Sequence, residues 1–135
     1  MKRITPSDVE RLRDNEIFVY GSDIAGSHKS SAASRAYKRF GATPGRCHGF
    51  DNQSYGIPTK DADMTALPLE RIKRYVHNMI VDAQTYPEKI FLVTKIGCGS
   101  DGYVPEQIAP LFSEAIQVEN VYLPDEFWKV LMNCQ

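Results

Sequence analysis

Ile90-Phe91-Leu92-Val93 is an unbroken apolar run, with Lys89 before it and Thr94-Lys95 after it. A run this short predicts a strand, and apolarity at every position means that both of its faces are covered. Strands of that kind belong to sheets carrying helices on each side. The run therefore anchors a predicted strand over Lys89–Ile96, taken as the central strand of an α/β domain.

The flanking sequence alternates accordingly. Ser7, with Glu10 three residues on, predicts a short capped helix over Asp8–Arg13. Ile17-Phe18-Val19-Tyr20 reads as a buried strand ending at Gly21, with Gly21–Lys29 as the loop that follows. Ser30 or Ser31 caps a helix to about Phe40 whose inward stripe is Ala33, Ala36, Tyr37 and Phe40, and Gly41 stops it. Ser54–Thr59 is a second strand, entered through Gly49–Gln53. Pro68 opens a helix with Leu69, Ile72, Val76, Met79, Ile80 and Ala83 at helical spacing, closed by Pro87. Pro105 starts another, with Ile108, Leu111, Phe112, Ala115 and Ile116 inward. Val121-Tyr122-Leu123 is a strand and Pro124–Met132 a closing helix. The alternation predicts a largely parallel sheet, with ligands at the carboxyl ends of its strands.

Composition excludes several classes. With 135 residues the chain has the length of one domain, read here as residues 1–135, and needs no disulfide or metal staple. Sixteen basic residues against 17 acidic ones give a net charge of -1, so no nucleic-acid track is expected. No apolar run spans a bilayer, and the polar start Met1-Lys2-Arg3 is not that of a signal peptide. Cys47, Cys98 and Cys134 are scattered and form no C-x-x-C, which fits a reducing cytoplasm and no metal site. No cofactor is implied.

Three loops fall at the predicted carboxyl edge: Gly21–Lys29, Thr59–Asp63 and Gly97–Val104. In the last, Gly97, Gly99 and Gly102 let backbone amides approach a phosphate, with Cys98 and Ser100 between them. The same letters read as G-x-G-x-x-G, with Asp125 about twenty residues on. That dinucleotide reading is set aside, because the fingerprint opens a first βαβ unit and too little chain follows here. A ligand-free turn is the plain alternative. Lys60 and Asp101 should lie at one edge: a lysine can attack an anomeric carbon, and a carboxylate can move the proton. Singly, Lys60 reads as a surface amine and Asp101 as a turn former. Asp23, after Ser22, either accepts bonds from an adenine amine or ribose hydroxyls or forms an Asx turn. His28, Lys29, Ser30 and Ser31 either bind phosphate at a helix start or are a polar loop with a serine cap. His48 and Phe50 read as packing and a surface histidine before a base stack, and Trp128 as a core anchor.

Three segments carry a resemblance: Ser31-Ala32-Ala33-Ser34-Arg35-Ala36-Tyr37-Lys38-Arg39-Phe40-Gly41, Tyr55-Gly56-Ile57-Pro58-Thr59-Lys60 and Ile96-Gly97-Cys98-Gly99-Ser100-Asp101. In order and spacing, over roughly residues 17 to 123, the chain resembles the macrodomain superfamily, particularly the branch of the terminal ADP-ribose glycohydrolase and its bacterial and phage relatives. The resemblance implies a three-layer α/β/α sandwich with a largely parallel, mixed central sheet. It implies that Lys60 attacks C1 of the distal ribose and that Asp101 serves as acid and base. Gly21, Ser22, Asp23, Ser30, Ser31, Thr59, Gly97, Cys98, Gly99, Ser100 and Gly102 would line the ligand site. The ligand would be ADP-ribose or a related nucleotide, the partner an ADP-ribosylated protein, and the reaction hydrolysis of ester-linked or acylated ADP-ribose. Two departures stand out: His28-Lys29-Ser30-Ser31 replaces a glycine-rich stretch, and Asp23 stands where nearer relatives often carry Asn.

Three functions follow in descending order: an enzyme dependent on Lys60 and Asp101, an ADP-ribose binder without turnover, and a retained fold acting through a protein partner.

Overall fold

The computed structural model describes residues 3–99 and 102–133. Its elements are β1 (Glu16–Asp23), α1 (Ser31–Arg39), β2 (Gly49–Asp51), β3 (Ser54–Lys60), α2 (Leu69–Thr85), β4 (Ile90–Val93), α3 (Pro105–Ile108), a 3-10 segment (Ala109–Gln117), β5 (Val121–Tyr122) and α4 (Asp125–Asn133). The strands form one mixed sheet of five in the order β2-β3-β1-β4-β5. β3, β1, β4 and β5 run parallel, and β2 pairs antiparallel to β3. Ile4 adds a parallel bridge to Leu123 beyond β5.

The apolar run behaves as its composition demands. Successive strand residues point to opposite faces. Phe91 and Val93 join Ile17 and Val19 under α2, the 3-10 segment and α4, while Leu92 joins Phe18 and Tyr20 under α1. On α1 the contact residues Ala33 and Ala36 are small, so the helix lies close on the sheet, and Phe40 fills the end of that layer. On α2 the spaced residues Ile72, Val76, Met79, Ile80 and Ala83 are all buried.

Several expectations change. The central strand is β1, not β4, and β4 ends at Val93 rather than at Ile96. β1 runs past Gly21 to Asp23, because Gly21 and Ser22 still pair with Ile57 and Pro58. Asp8–Arg13 is not a helix. Its carbonyls are taken from outside: Arg35 Nη1 donates to Val9 O at 2.9 Å and Arg39 Nη1 to Glu10 O at 3.3 Å. Gly49–Gln53 holds the edge strand β2, turned into β3 through Asn52 in the left-handed region at φ 57°. The helix expected from Pro105 stops at Ile108 and continues as 3-10, since Pro110 has no N–H to give a carbonyl four residues back. Tyr37 leaves the inward stripe and is 49% exposed.

The chain leaves β1 through α1 toward β3 on one side, and leaves β4 toward β5 on the other. The neighbours β1 and β4 therefore make a topological switch point, where the two connections diverge and open a crevice at the strands' carboxyl ends.

Candidate functional site

A cleft of about 780 Å³ opens at that switch point. Ligand pockets commonly measure about 300–1,000 Å³. Gly21 comes to it from β1, Ser30 and Ser31 from the start of α1, and Cys98 and Gly99 from the glycine loop. A small recess of about 10 Å³ adjoins it, sharing Gly21 and Ser30, and holds Ser22, Asp23, Thr59 and Lys60. The end of β1, the start of α1 and the glycine loop, far apart in sequence, thus meet in one cleft, with Lys60 in the adjoining recess. Gly97 and Gly102 line neither space. Ser100 and Asp101 lie outside the described residues.

The glycine loop closes on itself. Gly102 N–H donates to Gly99 O at 2.9 Å, Tyr103 N–H to Gly97 O at 3.1 Å, and Gly99 N–H to Tyr103 O at 3.3 Å. Tyr103 Oη donates to Leu67 O at 2.7 Å and ties the loop to the segment between β3 and α2. The amides of Gly99 and Gly102 therefore serve the loop's own carbonyls. Gly97 sits at φ 72°, and a Cβ there would meet Ile108 Cδ1 at 2.8 Å. The positive φ and this contact with the end of the Ile108 side chain both favour glycine there.

Asp23 ends β1 behind a register shift that sets it opposite Lys60. Its carboxylate accepts Ser27 N–H at 3.1 Å and Ser27 Oγ at 2.5 Å. The turn contacts expected of it are present, and its side chain also borders the recess. Burial pushes the Asp23 carboxyl up. The hydroxyl and amide of Ser27, with the amides of Gly26 and Ala25, outweigh burial and hold it below the usual carboxylate range. Ser22 is buried with its hydroxyl donating to Cys47 O, and buried Thr59 donates to Ser22 O at 3.4 Å. Both hydroxyls brace the strand ends.

In the first loop His28 turns inward. It is buried at φ 57°, between the rings of Tyr20 and Tyr37. Its Nδ1 lies 2.9 Å from Gly26 O, which can only accept, so Nδ1 carries a proton. In the neutral ring Nε2 then accepts the Tyr20 hydroxyl at 3.2 Å. Burial above all, then the charges of Asp51, Cys47 and Asp23, pushes the Tyr20 phenol up to about 12. Ser30 caps α1 by accepting Ala33 N–H at 3.2 Å, and Ser31 stands exposed at the cleft. Of the former phosphate set, these two serines face the cleft, whereas His28 belongs to the core.

Sequence reasoning missed the other walls. The N-terminal segment from Ile4 to Val9 forms one side, Arg35 stands on α1, and Lys95 and Glu126 face each other at 3.3 Å. Glu126 is held below the usual range, first by its own backbone N–H and then by Lys95, against some burial. No local pattern signals these groups, because their partners lie in other elements. Phe50 packs on Tyr55, Tyr86 and Phe91, His48 lies by Tyr75, and Trp128 is buried with Nε1 donating to Arg3 O at 2.7 Å. Among the described residues no group of three or more His, Cys, Asp or Glu is placed to hold a metal, and no helix is long and apolar enough to cross a membrane.

A scan against known family models and searches of curated proteins and of solved structures return no match.

Proposed function

We propose that the cleft binds ADP-ribose or a closely related nucleotide on a macrodomain-like sandwich, and that the chain hydrolyses ester-linked ADP-ribose, protein-attached or acylated. The observation that carries the reading is the 780 Å³ cleft at the β1/β4 switch point, walled by Gly21 of β1, by Ser30 and Ser31 at the start of α1, and by Cys98 and Gly99 of the glycine loop. Lys60 at the carboxyl end of β3, in a recess sharing Gly21 and Ser30 with the cleft, supports it. In the proposed reaction on an ester joined at C1 of the distal ribose, protein-attached or acyl, the Lys60 amine bonds to C1 as the C1–O ester bond breaks and the carboxylate leaves. Asp101 takes the proton from the amine, and water then releases the sugar. Calorimetry tests the binding: ADP-ribose should bind more tightly than NAD or AMP, and no heat at millimolar ADP-ribose refutes the proposal.

One observation favours a second reading, a binder without turnover. Lys60 is absent from the cleft walls and belongs to the recess alone. Under that reading ADP-ribose binds and ester-linked substrate stays intact.

A further inference from the structure

On the α1 side, Arg35 meets the cleft wall directly. Beyond it, Arg39 Nη1 donates to Glu10 O at 3.3 Å, and Val9 is buried in the core layer with Ala33, Ala36 and Phe40. Arg35 Nη1 donates both to Asp8 Oδ1 at 2.5 Å and to Val9 O at 2.9 Å, joining α1 to the N-terminal segment. Both side chains line the cleft, and both touch solvent, at 32% exposure for Arg35 and 60% for Asp8. Asp8 is held below the usual carboxylate range by the Arg35 hydrogen bond first and its charge second. The segment's other end is fixed: Thr5 N–H donates to Leu123 O at 2.9 Å, and Leu123 N–H to Arg3 O at 3.1 Å. Between these anchors, Pro6 and Ser7 are exposed and belong to no helix or strand. Among the described residues the Thr5 hydroxyl, in the same wall, is buried and has no hydrogen-bond partner.

We propose that Arg35 is an exchangeable anion-binding residue: it latches the N-terminal strap through Asp8, and passes to an anionic phosphate group of a ligand in the cleft, releasing the strap. Rim ion pairs that reach solvent are weak, so a competing anion can replace one partner. A guanidinium prefers a phosphate that it can meet with two parallel N–H groups. Among the described residues Arg35 donates through Nη1 alone, which leaves Nη2 and Nε for that second contact. The inference rests on the nucleotide reading only for the kind of anion.

Inorganic pyrophosphate is the probe, and tryptic cleavage after exposed Arg11 the readout, with binding followed by calorimetry. Pyrophosphate should speed cleavage of the wild type several-fold. Asp8→Asn should be cut faster without any anion, and should bind pyrophosphate about twofold to fivefold more tightly, since the competitor is weakened. Arg35→Gln should be cut fast and show no response, while Arg35→Lys should respond weakly. Slower cleavage with pyrophosphate, unchanged cleavage, failure to bind it, or weaker binding by Asp8→Asn overturns the latch. ADP-ribose run in parallel separates the two proposals. If pyrophosphate releases the strap and ADP-ribose does not bind, the latch stands and the nucleotide reading falls. If ADP-ribose binds and the strap becomes protected, the reading stands and the latch falls.

Discussion

Asp23 and Lys60 are register partners at the carboxyl ends of two parallel strands, β1 and β3. The pairing brings two residues of the recess, one from each strand, to the same sheet edge. The Asp23 carboxylate is held by Ser27, which donates to it twice. The turn that follows β1 thus fixes the carboxylate at the strand end where the recess lies.

The chemistry is tested by deletion. Lys60→Ala and Asp101→Ala should each lower turnover of ester-linked ADP-ribose by about 10²–10⁴-fold. The double variant should be little worse than the worse single one, since residues acting as a unit lose nearly everything at the first deletion. ADP-ribose affinity should survive Lys60→Ala. Equal rates in wild type and both single variants would remove the assignment.

Two glycines of one loop should behave differently. Gly97→Ala meets Ile108 Cδ1 at 2.8 Å and also holds alanine at positive φ. Gly99→Ala shares the positive φ, at 74°, but among the described residues meets nothing within 4 Å. The backbone penalty common to both is about 1–2 kcal/mol. Gly97→Ala should cost more in chemical denaturation, and Ile108→Val, which removes Cδ1, should recover part of the difference. Gly99→Val should keep the fold and weaken ADP-ribose binding. Equal melting of the two alanine variants would show that Ile108 yields freely.

Asp23 should give the chain an acid limit. Its folded carboxyl lies below the unfolded value of about 3.9, so its stabilisation is complete above that pH and fades as pH falls through the folded value. Asp23→Asn should destabilise by about 1.5 kcal/mol or more at neutral pH, the scale of hydrogen bonds to a charged group. The gap between the two proteins should close below about pH 4. A gap constant to pH 2 would mean that the amide loses its contacts for steric reasons.

Arg3 should hold the sheet edge. Its guanidinium donates to Val118 O, to Val121 O at 3.0 Å and to Ile116 O at 2.8 Å, and lies 5.1 Å from the centre of the Trp128 ring. Arg3→Met should lower stability by about 2 kcal/mol. Tryptic cleavage after Arg11 should then quicken without any anion. Unchanged melting would show that water replaces those bonds without loss.

Local order was legible because burial leaves a periodic trace. Ile90–Val93, the α2 stripe, the Ser30 cap and the stop at Gly41 each follow from side chains within a turn or two of one another. Those features sufficed for alternating strands and helices, and hence for the carboxyl edge where Gly21, Ser30, Ser31, Cys98 and Gly99 gather. Periodicity reports how covered a residue is and not what covers it. Tertiary structure alone put β1 at the centre and buried His28 against Tyr20. It also dissolved the helix expected over Asp8–Arg13, because an arginine 27 positions away captured Asp8 and the Val9 carbonyl. The capping signal at Ser7 is worth about 1 kcal/mol. Where the competing contacts come from another layer of the fold, such a local preference loses.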